Sequence, residues 1–217
     1  MDSQSLLNGL LMYACFLPVL TFHEFAHAWV ASKCGDDTAR NEGRVSLNPS
    51  VHIDPVGTIM LPLLSIFLAS VGSGLAGFII GWGKPVPVNI NNLRRPRLDD
   101  SLIAMAGPIM NVLLAIVLII VAKIGFFFQV ELITQSALQI AFISLFLCFF
   151  NLLPIPPLDG SHVMAHLLQL KWETYFKLVP YGFIMVIIAW QIPAVQGVVT
   201  LATTMTFAVL GRMVGLG

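Results

Sequence analysis

Long uncharged stretches constrain the fold of this 217-residue chain more than any other feature. No Asp, Glu, Lys or Arg occurs in residues 55–83, 101–122, 132–158 and 178–211. A helix needs about 20 apolar residues to cross a bilayer. Only 10% of the residues are charged, whereas soluble domains carry about 25%. The sequence therefore predicts an all-α polytopic membrane protein rather than a soluble globular one.

Two polar connectors interrupt the apolar helices. We expect about five to six transmembrane helices in one transmembrane domain, with a core of about 5–170 and peripheral helices at 172–214. The expected helices cover about 5–33, 101–124, 134–153, 161–170, 172–191 and 194–214. Connector 34–54 has room for a short strand or hairpin in RNEGRVSLN. Connector 81–100 is expected to be extended, since its prolines alternate with valines.

Charge and cysteine content exclude several classes of function. Eleven basic residues balance eleven acidic ones, so no basic surplus exists for nucleic-acid binding. The three cysteines contain no CxxC pair, which argues against a disulfide framework and a zinc knuckle.

The motif His23-Glu24-Phe25-Ala26-His27 carries the clearest chemistry. Histidines at i and i+4 lie on one helix face and can bind one Zn²⁺, while Glu24 can act as general base on a water. The alternative is a chance HExxH on a solvated helix. A glutamate at membrane depth costs at least about 2.5–3.5 kcal/mol, which favours the metal site.

A third metal ligand has several candidates, which are His52, Asp54, Asp159, His162 and His166. Asp159 follows a long apolar helix within NLLPIPPLDGSH, where prolines break the helix. Irregular backbone at membrane depth lies in the protein interior or lines a wet cavity. The alternative role of Asp159 is an N-cap for the next helix.

Topology provides a further test, in which the count of basic residues uses no assumption about metal. If Asp159 joins the HExxH motif, segment 35–100 must begin and end on one side of the membrane. Segment 56–82 must then be re-entrant rather than a single crossing. With an outside N-terminus this arrangement places ten of the eleven basic residues on the cytoplasmic side, as the positive-inside rule favours. Only Lys123 lies opposite.

Three motifs together resemble the site-2 protease family of intramembrane zinc metalloproteases. They are HEFAH in an early helix, AGPIMN at 106–111 and FNLLPIPPLDG at 150–160, while LNPSVHIDPVGT and GWGKPVPVN resemble connectors of its compact members. The resemblance implies one zinc ion on His23, His27 and Asp159, with Glu24 as catalytic base. It also implies that Asn151 holds substrate backbone or the oxyanion. No PDZ or nucleotide-binding regulatory domain is expected.

Several other polar residues allow more than one interpretation. His52 and Asp54 are gating or accessory residues, or they hydrogen-bond within a polar connector. Asn111 is expected to form an interhelical hydrogen bond. His162 and His166 suit a helix surface better than a second metal site. Connector 81–89 either forms an edge strand that holds an extended substrate or is a simple loop.

The resulting function is zinc-dependent cleavage of membrane-protein or transmembrane-peptide substrates in a multi-pass protein of a prokaryotic cell membrane, with the active site towards the cytoplasm. The alternative is a metal-ion transporter or another polytopic metal-binding membrane protein, since broken helices with polar groups also suit a carrier. The expected partners are those substrates and the lipid bilayer, with no nucleic acid; the oligomeric state is open.

Overall fold

The computed structural model describes residues 2–74 and 81–216. The chain divides into two compact units, Met1–Asp100 and Ser101–Gly217, which are described one at a time. The prediction of a single domain is not tested by this division. The α-helices are α1 (Ser3–Cys34), α2 (Thr38–Asn41), α3 (Leu61–Ser70), α4 (Pro96–Phe127), α5 (Glu131–Asn151), α6 (Asp159–Leu167), α7 (Trp172–Leu178), α8 (Gly182–Trp190) and α9 (Pro193–Met213).

Within the described residues, four helices are long and apolar enough to cross a membrane: α1, α4, α5 and α9. The protein is therefore a polytopic helical membrane protein, as its uncharged stretches predict. The described part of the chain contains no β-strand. The strand or hairpin considered for RNEGRVSLN is replaced by α2 and a turn. Residues 81–89 contain no regular secondary structure, so the edge strand considered for this connector is not formed.

In the first unit, α3 packs antiparallel to α1. A π-helical turn at Pro55–Met60 precedes α3. Three contacts fix the pairing along the helices: Tyr13 Oη donates to Thr58 O at 2.8 Å, Gly9 faces Ile66, and Asp2 N donates to Ser70 O at 2.8 Å. A Cβ on Gly9 would lie 2.7 Å from the Ile66 side chain, so glycine allows the close approach.

After α3 the chain returns to the π-helical turn that precedes it. Trp82 N donates to Gly57 O at 3.0 Å, and Thr58 Oγ1 donates to Trp82 O at 2.8 Å. Segment 56–82 thus has neighbouring ends, as a re-entrant segment requires, although residues 75–80 of that segment lie outside the described residues.

The two ends of segment 35–100 also meet. Arg94 N donates to Cys34 O at 3.3 Å; Cys34 is the last residue of α1, and Arg94 lies two residues before the start of α4. The segment therefore begins and ends at the same end of α1. This is the arrangement that the topology argument demands, and a single crossing by 56–82 would separate these two atoms by the thickness of a bilayer.

In the second unit, small residues bring three long helices together. A buried cluster contains Ala115 and Ile119 of α4 with Ala141 and Leu145 of α5, and Phe207 and Leu210 of α9 pack against it. Phe142 meets Phe207 edge to face with ring centroids 5.6 Å apart. Alanines at this contact let the helix backbones approach closely, as membrane helix packing favours.

The expected span at 172–191 is helical but is divided into three elements. Helix α7 is followed by a 3-10 turn at Val179–Tyr181 and then by α8. Pro180 lies inside this turn, and proline has no backbone N–H to continue an α-helical hydrogen-bond ladder. A Cβ on Gly182 would collide with the Pro156 carbonyl, so only glycine fits where α8 begins.

Candidate metal centre

Helix α1 brings the two histidines of the HExxH motif together. His23 Nε2 and His27 Nε2 lie 3.0 Å apart, and both residues are buried, with 3% and 7% of their surface exposed. Their spacing of four residues places them one helical turn apart on the same face. The two rings meet at 82° with centroids 4.6 Å apart. Two imidazole nitrogens therefore converge on one point from a membrane helix.

This geometry fits a zinc ion. Zn–N bonds are about 2.0–2.1 Å long, so two nitrogens of a tetrahedral site lie about 3.3 Å apart. The observed Nε2–Nε2 distance of 3.0 Å is close to that value. Both atoms are imidazole nitrogens, which are preferred zinc donors.

Glu24 lies among groups from the two polar connectors. A Cβ built on Gly83 would lie 3.1 Å from Glu24 Oε1 and 3.0 Å from the Leu20 side chain. Glycine at this position therefore lets the backbone of the connector lie against the carboxylate. The negative charge of Glu24 also acts on Arg44 and on His52. All of these groups belong to the first unit.

His52 is held as one neutral tautomer. Its Nε2 lies 2.8 Å from Ser46 O, and a carbonyl only accepts, so Nε2 carries the proton. Nδ1 is buried with no hydrogen-bond partner among the described residues. Protonating Nδ1 would bury a charge, and burial accordingly lowers the pKa of His52, a shift that nearby Arg44 reinforces and the Ser46 hydrogen bond opposes.

We expect the stability of the wild type to fall as the pH drops from about 7 towards 5, with His52 contributing. The unfolded imidazole titrates near 6.5 and the folded one lower, so the unfolded state binds more protons in this window. The loss begins as pH falls through about 6.5 and ends below the folded pKa. His52→Gln keeps a donor for Ser46 O without titrating. Its thermal unfolding midpoint should vary less with pH, and parallel curves for the two proteins would contradict the assignment.

Asp54 acts as an N-cap. Its Oδ1 accepts hydrogen bonds from Val56 N at 3.0 Å and from Gly57 N at 2.6 Å. Asp54 N in turn donates to Thr58 Oγ1 at 2.9 Å. These contacts satisfy the first backbone donors of the helix that leads into α3. They account for Asp54 by local structure, and the gating role expected of it is not tested.

Asp159 begins α6 in the second unit. Leu158 is the N-cap residue of this helix and Asp159 is its first helical residue, where a carboxylate interacts favourably with the helix dipole. A Cβ on Gly160 would collide with the Leu152 carbonyl. The Asp-Gly pair therefore allows the first turn of α6 to lie directly on the end of α5, with the half-buried Asp159 at that point.

The other polar residues of the second unit take part in helix packing. Asn151 Nδ2 donates to Leu147 O within α5 at 3.0 Å. Ser144 Oγ donates to the backbone carbonyl of the fully buried Asn111 at 2.8 Å, which joins α5 to α4. His166 Nδ1 lies 2.9 Å from Ser101 Oγ. The His162 ring packs on Tyr175 with centroids 5.0 Å apart.

Connector 34–54 contains two buried charged residues that sequence reasoning missed. Asp36 is 0% exposed and Arg44 is 1% exposed. Each follows a glycine with positive φ, Gly35 at 108° and Gly43 at 71°. The two glycines could be interpreted in the sequence as helix ends, but no sequence pattern shows that the charged residue after each of them is buried.

Comparison with known proteins places the chain in a family. Residues 128–189 match the model of Peptidase family M50. The chain is 37% identical over 188 residues to "Putative zinc metalloprotease YwhC" of Bacillus subtilis, covering 80% of this chain and 76% of that protein. It is 28% identical over 191 residues to "Putative zinc metalloprotease Rip2" of Mycobacterium tuberculosis, covering 86% and 69% respectively. No solved structure matches. The chain therefore belongs to peptidase family M50, the site-2 protease family.

Proposed function

We propose that the protein is a zinc-dependent intramembrane endopeptidase that hydrolyses peptide bonds of transmembrane substrates. The observation that carries the proposal is the buried His23–His27 pair with a 3.0 Å Nε2–Nε2 distance on a membrane-spanning helix. Glu24 lies between the two histidines in the sequence. Membership of a peptidase family supports proteolysis as the chemistry, and the names of the relatives specify zinc.

One zinc ion is proposed to bind His23 and His27, with Asp159 as the third protein ligand. A catalytic zinc site has three protein ligands and an open position. When bound, zinc polarises the scissile carbonyl and lowers the pKa of water. A carboxylate oxygen is an accepted zinc donor, and the placement of Asp159 at a helix start inside FNLLPIPPLDG matches the family pattern.

Glu24 is proposed to act as the general base. It takes a proton from the attacking water and delivers it to the leaving nitrogen. Its proximity to Gly83 puts the backbone of the connector beside the carboxylate. Asn151 is proposed to contact the substrate carbonyl: an amide NH₂ has two hydrogens, and the contact to Leu147 O uses one of them.

The membrane is proposed to be a prokaryotic cell membrane, with the site open towards the cytoplasm. This orientation follows from the ten basic residues at one end of the predicted spans. Single cysteines at Arg40 and Arg95, in a background without the native cysteines, should react with an impermeant thiol reagent only from the cytoplasmic side. Labelling of both from outside would reverse the orientation.

The function is tested with purified protein in proteoliposomes and a panel of single-span substrates that carry helix-weakening residues. We expect cleavage within the spanning segment, loss of cleavage after chelation and recovery after zinc is added. Zinc flux across the same vesicles is measured in parallel. Flux without cleavage of any substrate would favour a metal-ion transporter and contradict the proposal.

A further inference from the structure

Two helix ends in the first unit are built in the same way. At the end of α1, Gly35 N donates to Ser32 O at 3.3 Å and Asp36 N donates to Ala31 O at 3.0 Å. After α2, Gly43 N donates to Arg40 O and Arg44 N donates to Ala39 O, both at 2.9 Å. Both pairs form a Schellman motif, in which the glycine turns the chain. Each motif is followed directly by a buried charged residue.

These two charges hold opposite ends of the connector that carries GWGKPVPVN. Asp36 accepts from Asn89 N at 2.6 Å and from Asn92 Nδ2 at 2.9 Å. Arg44 donates through Nη2 to Lys84 O at 2.5 Å and through Nη1 to Pro85 O at 3.0 Å. Lys84 N also donates to His52 O at 2.9 Å. The carboxylate thus binds donors, and the guanidinium binds two successive carbonyls.

The carbonyls that Arg44 holds follow directly after the residue that lies against Glu24. Pro85 has no backbone N–H, so this residue cannot donate a hydrogen bond to a neighbouring strand. Only its carbonyl can be held by a hydrogen bond. A planar guanidinium binds two acceptors with fixed geometry, whereas a lysine ammonium is a point charge on a flexible stem. Burial lowers the pKa of Arg44, and the nearby charges of Glu24 and Glu42 oppose that shift.

We propose that Arg44 is a positioning residue: its guanidinium holds the backbone of residues 83–85 in a fixed position beside Glu24. The inference rests on the proposed function, because its activity readout is peptide cleavage. The backbone of residues 83–85 then limits the space in which a substrate peptide approaches the Glu24 carboxylate. Arg44 itself touches neither substrate nor metal in this assignment, and it acts through the two carbonyls.

The test compares Arg44→Lys with Arg40→Lys. Arg40 lies four residues earlier, and its side chain is 66% exposed, so the same substitution there should leave cleavage unchanged. Arg44→Lys keeps the charge and loses the two-pronged contact. We expect kcat to fall by about 10- to 100-fold with zinc content unchanged, since displacements of about 1 Å cost up to about 100-fold. KM should change much less.

Hydrogen exchange gives a readout that does not depend on cleavage. Amides of 82–89 should exchange at least about tenfold faster in Arg44→Lys, whereas those of α5 should not change. Gly43→Ala is a milder second variant, because it strains a positive φ while a Cβ there meets nothing within 4 Å. It should show the same two effects at smaller size.

The outcomes separate the two proposals. A wild type that cleaves no substrate overturns the proposed function. The hydrogen-exchange data would then still test whether Arg44 fixes the backbone of residues 83–85. Cleavage and exchange in Arg44→Lys equal to those of Arg40→Lys would overturn the positioning role alone. Slower cleavage with unchanged exchange at 82–89 would also overturn it, since Arg44 would then act through its charge distribution rather than through the backbone.

Discussion

Glu24→Gln is expected to lose peptide cleavage by a factor of about 10² to 10⁴ while keeping its fold and its zinc. Glutamine preserves the size and hydrogen-bonding capacity of the side chain but cannot accept a proton at neutral pH. A general base contributes about this factor to a rate. Zinc should stay, because the proposed ligands are His23, His27 and Asp159. Bound substrate should accumulate uncleaved, since binding needs no base.

The measurement is the initial rate of cleavage in proteoliposomes together with zinc content per chain. Glu42→Gln is a matched control, because Glu42 is an exposed acidic residue in the same unit. This variant should cleave substrate at the wild-type rate. Glu24→Gln that cleaves as fast as this control would remove the general-base mechanism even if zinc were found. Loss of zinc in Glu24→Gln would instead make Glu24 a ligand.

Asp159→Ala is expected to lower zinc affinity at least about 10- to 100-fold and to abolish cleavage. Removing even an outer hydrogen-bond partner of a metal ligand costs that much, and a lost ligand should cost no less. His23→Ala should behave in the same way. Membrane insertion should be retained, because the uncharged spans that drive insertion are unchanged.

Asp37→Ala is the matched control for Asp159→Ala. Asp37 forms an exposed ion pair with Arg40 at 3.6 Å, with 52% of its side chain exposed, and such pairs contribute little. Zinc is quantified by metal analysis after dialysis against a weak chelator. Full zinc occupancy in Asp159→Ala would exclude this residue as a ligand and would require a third ligand elsewhere in the chain.

The relative position of the two motif histidines could be predicted from the sequence, because helix geometry is periodic. Histidines four residues apart in an apolar helix must share a face, and the structure places their Nε2 atoms 3.0 Å apart. The re-entrant topology could also be argued, since charge and the position of Asp159 both restrict where segment 35–100 ends. The contact of Arg94 N with Cys34 O agrees with that argument.

Arg44 and Asp36 could not be found in this way. Their partners in connector 81–100 lie about 40 to 56 residues further along the chain. These partners are mostly backbone atoms, which leave no mark in side-chain patterns. The broken span at 172–191 was missed for another reason. Its composition suits a continuous helix, and only the position of Pro180 and the close packing of Gly182 distinguish the three elements.

The hydrogen bonds that join Gly57 and Thr58 to Trp82 also decide what positions the residue that follows Trp82. Lys84 N in turn donates to His52 O at 2.9 Å. Gly83, which lies against Glu24, therefore stands between two residues whose backbones are held by partners more than 20 residues earlier in the chain. Substitutions at Thr58 or His52 can thus reach the carboxylate of Glu24, although neither residue belongs to the HExxH motif.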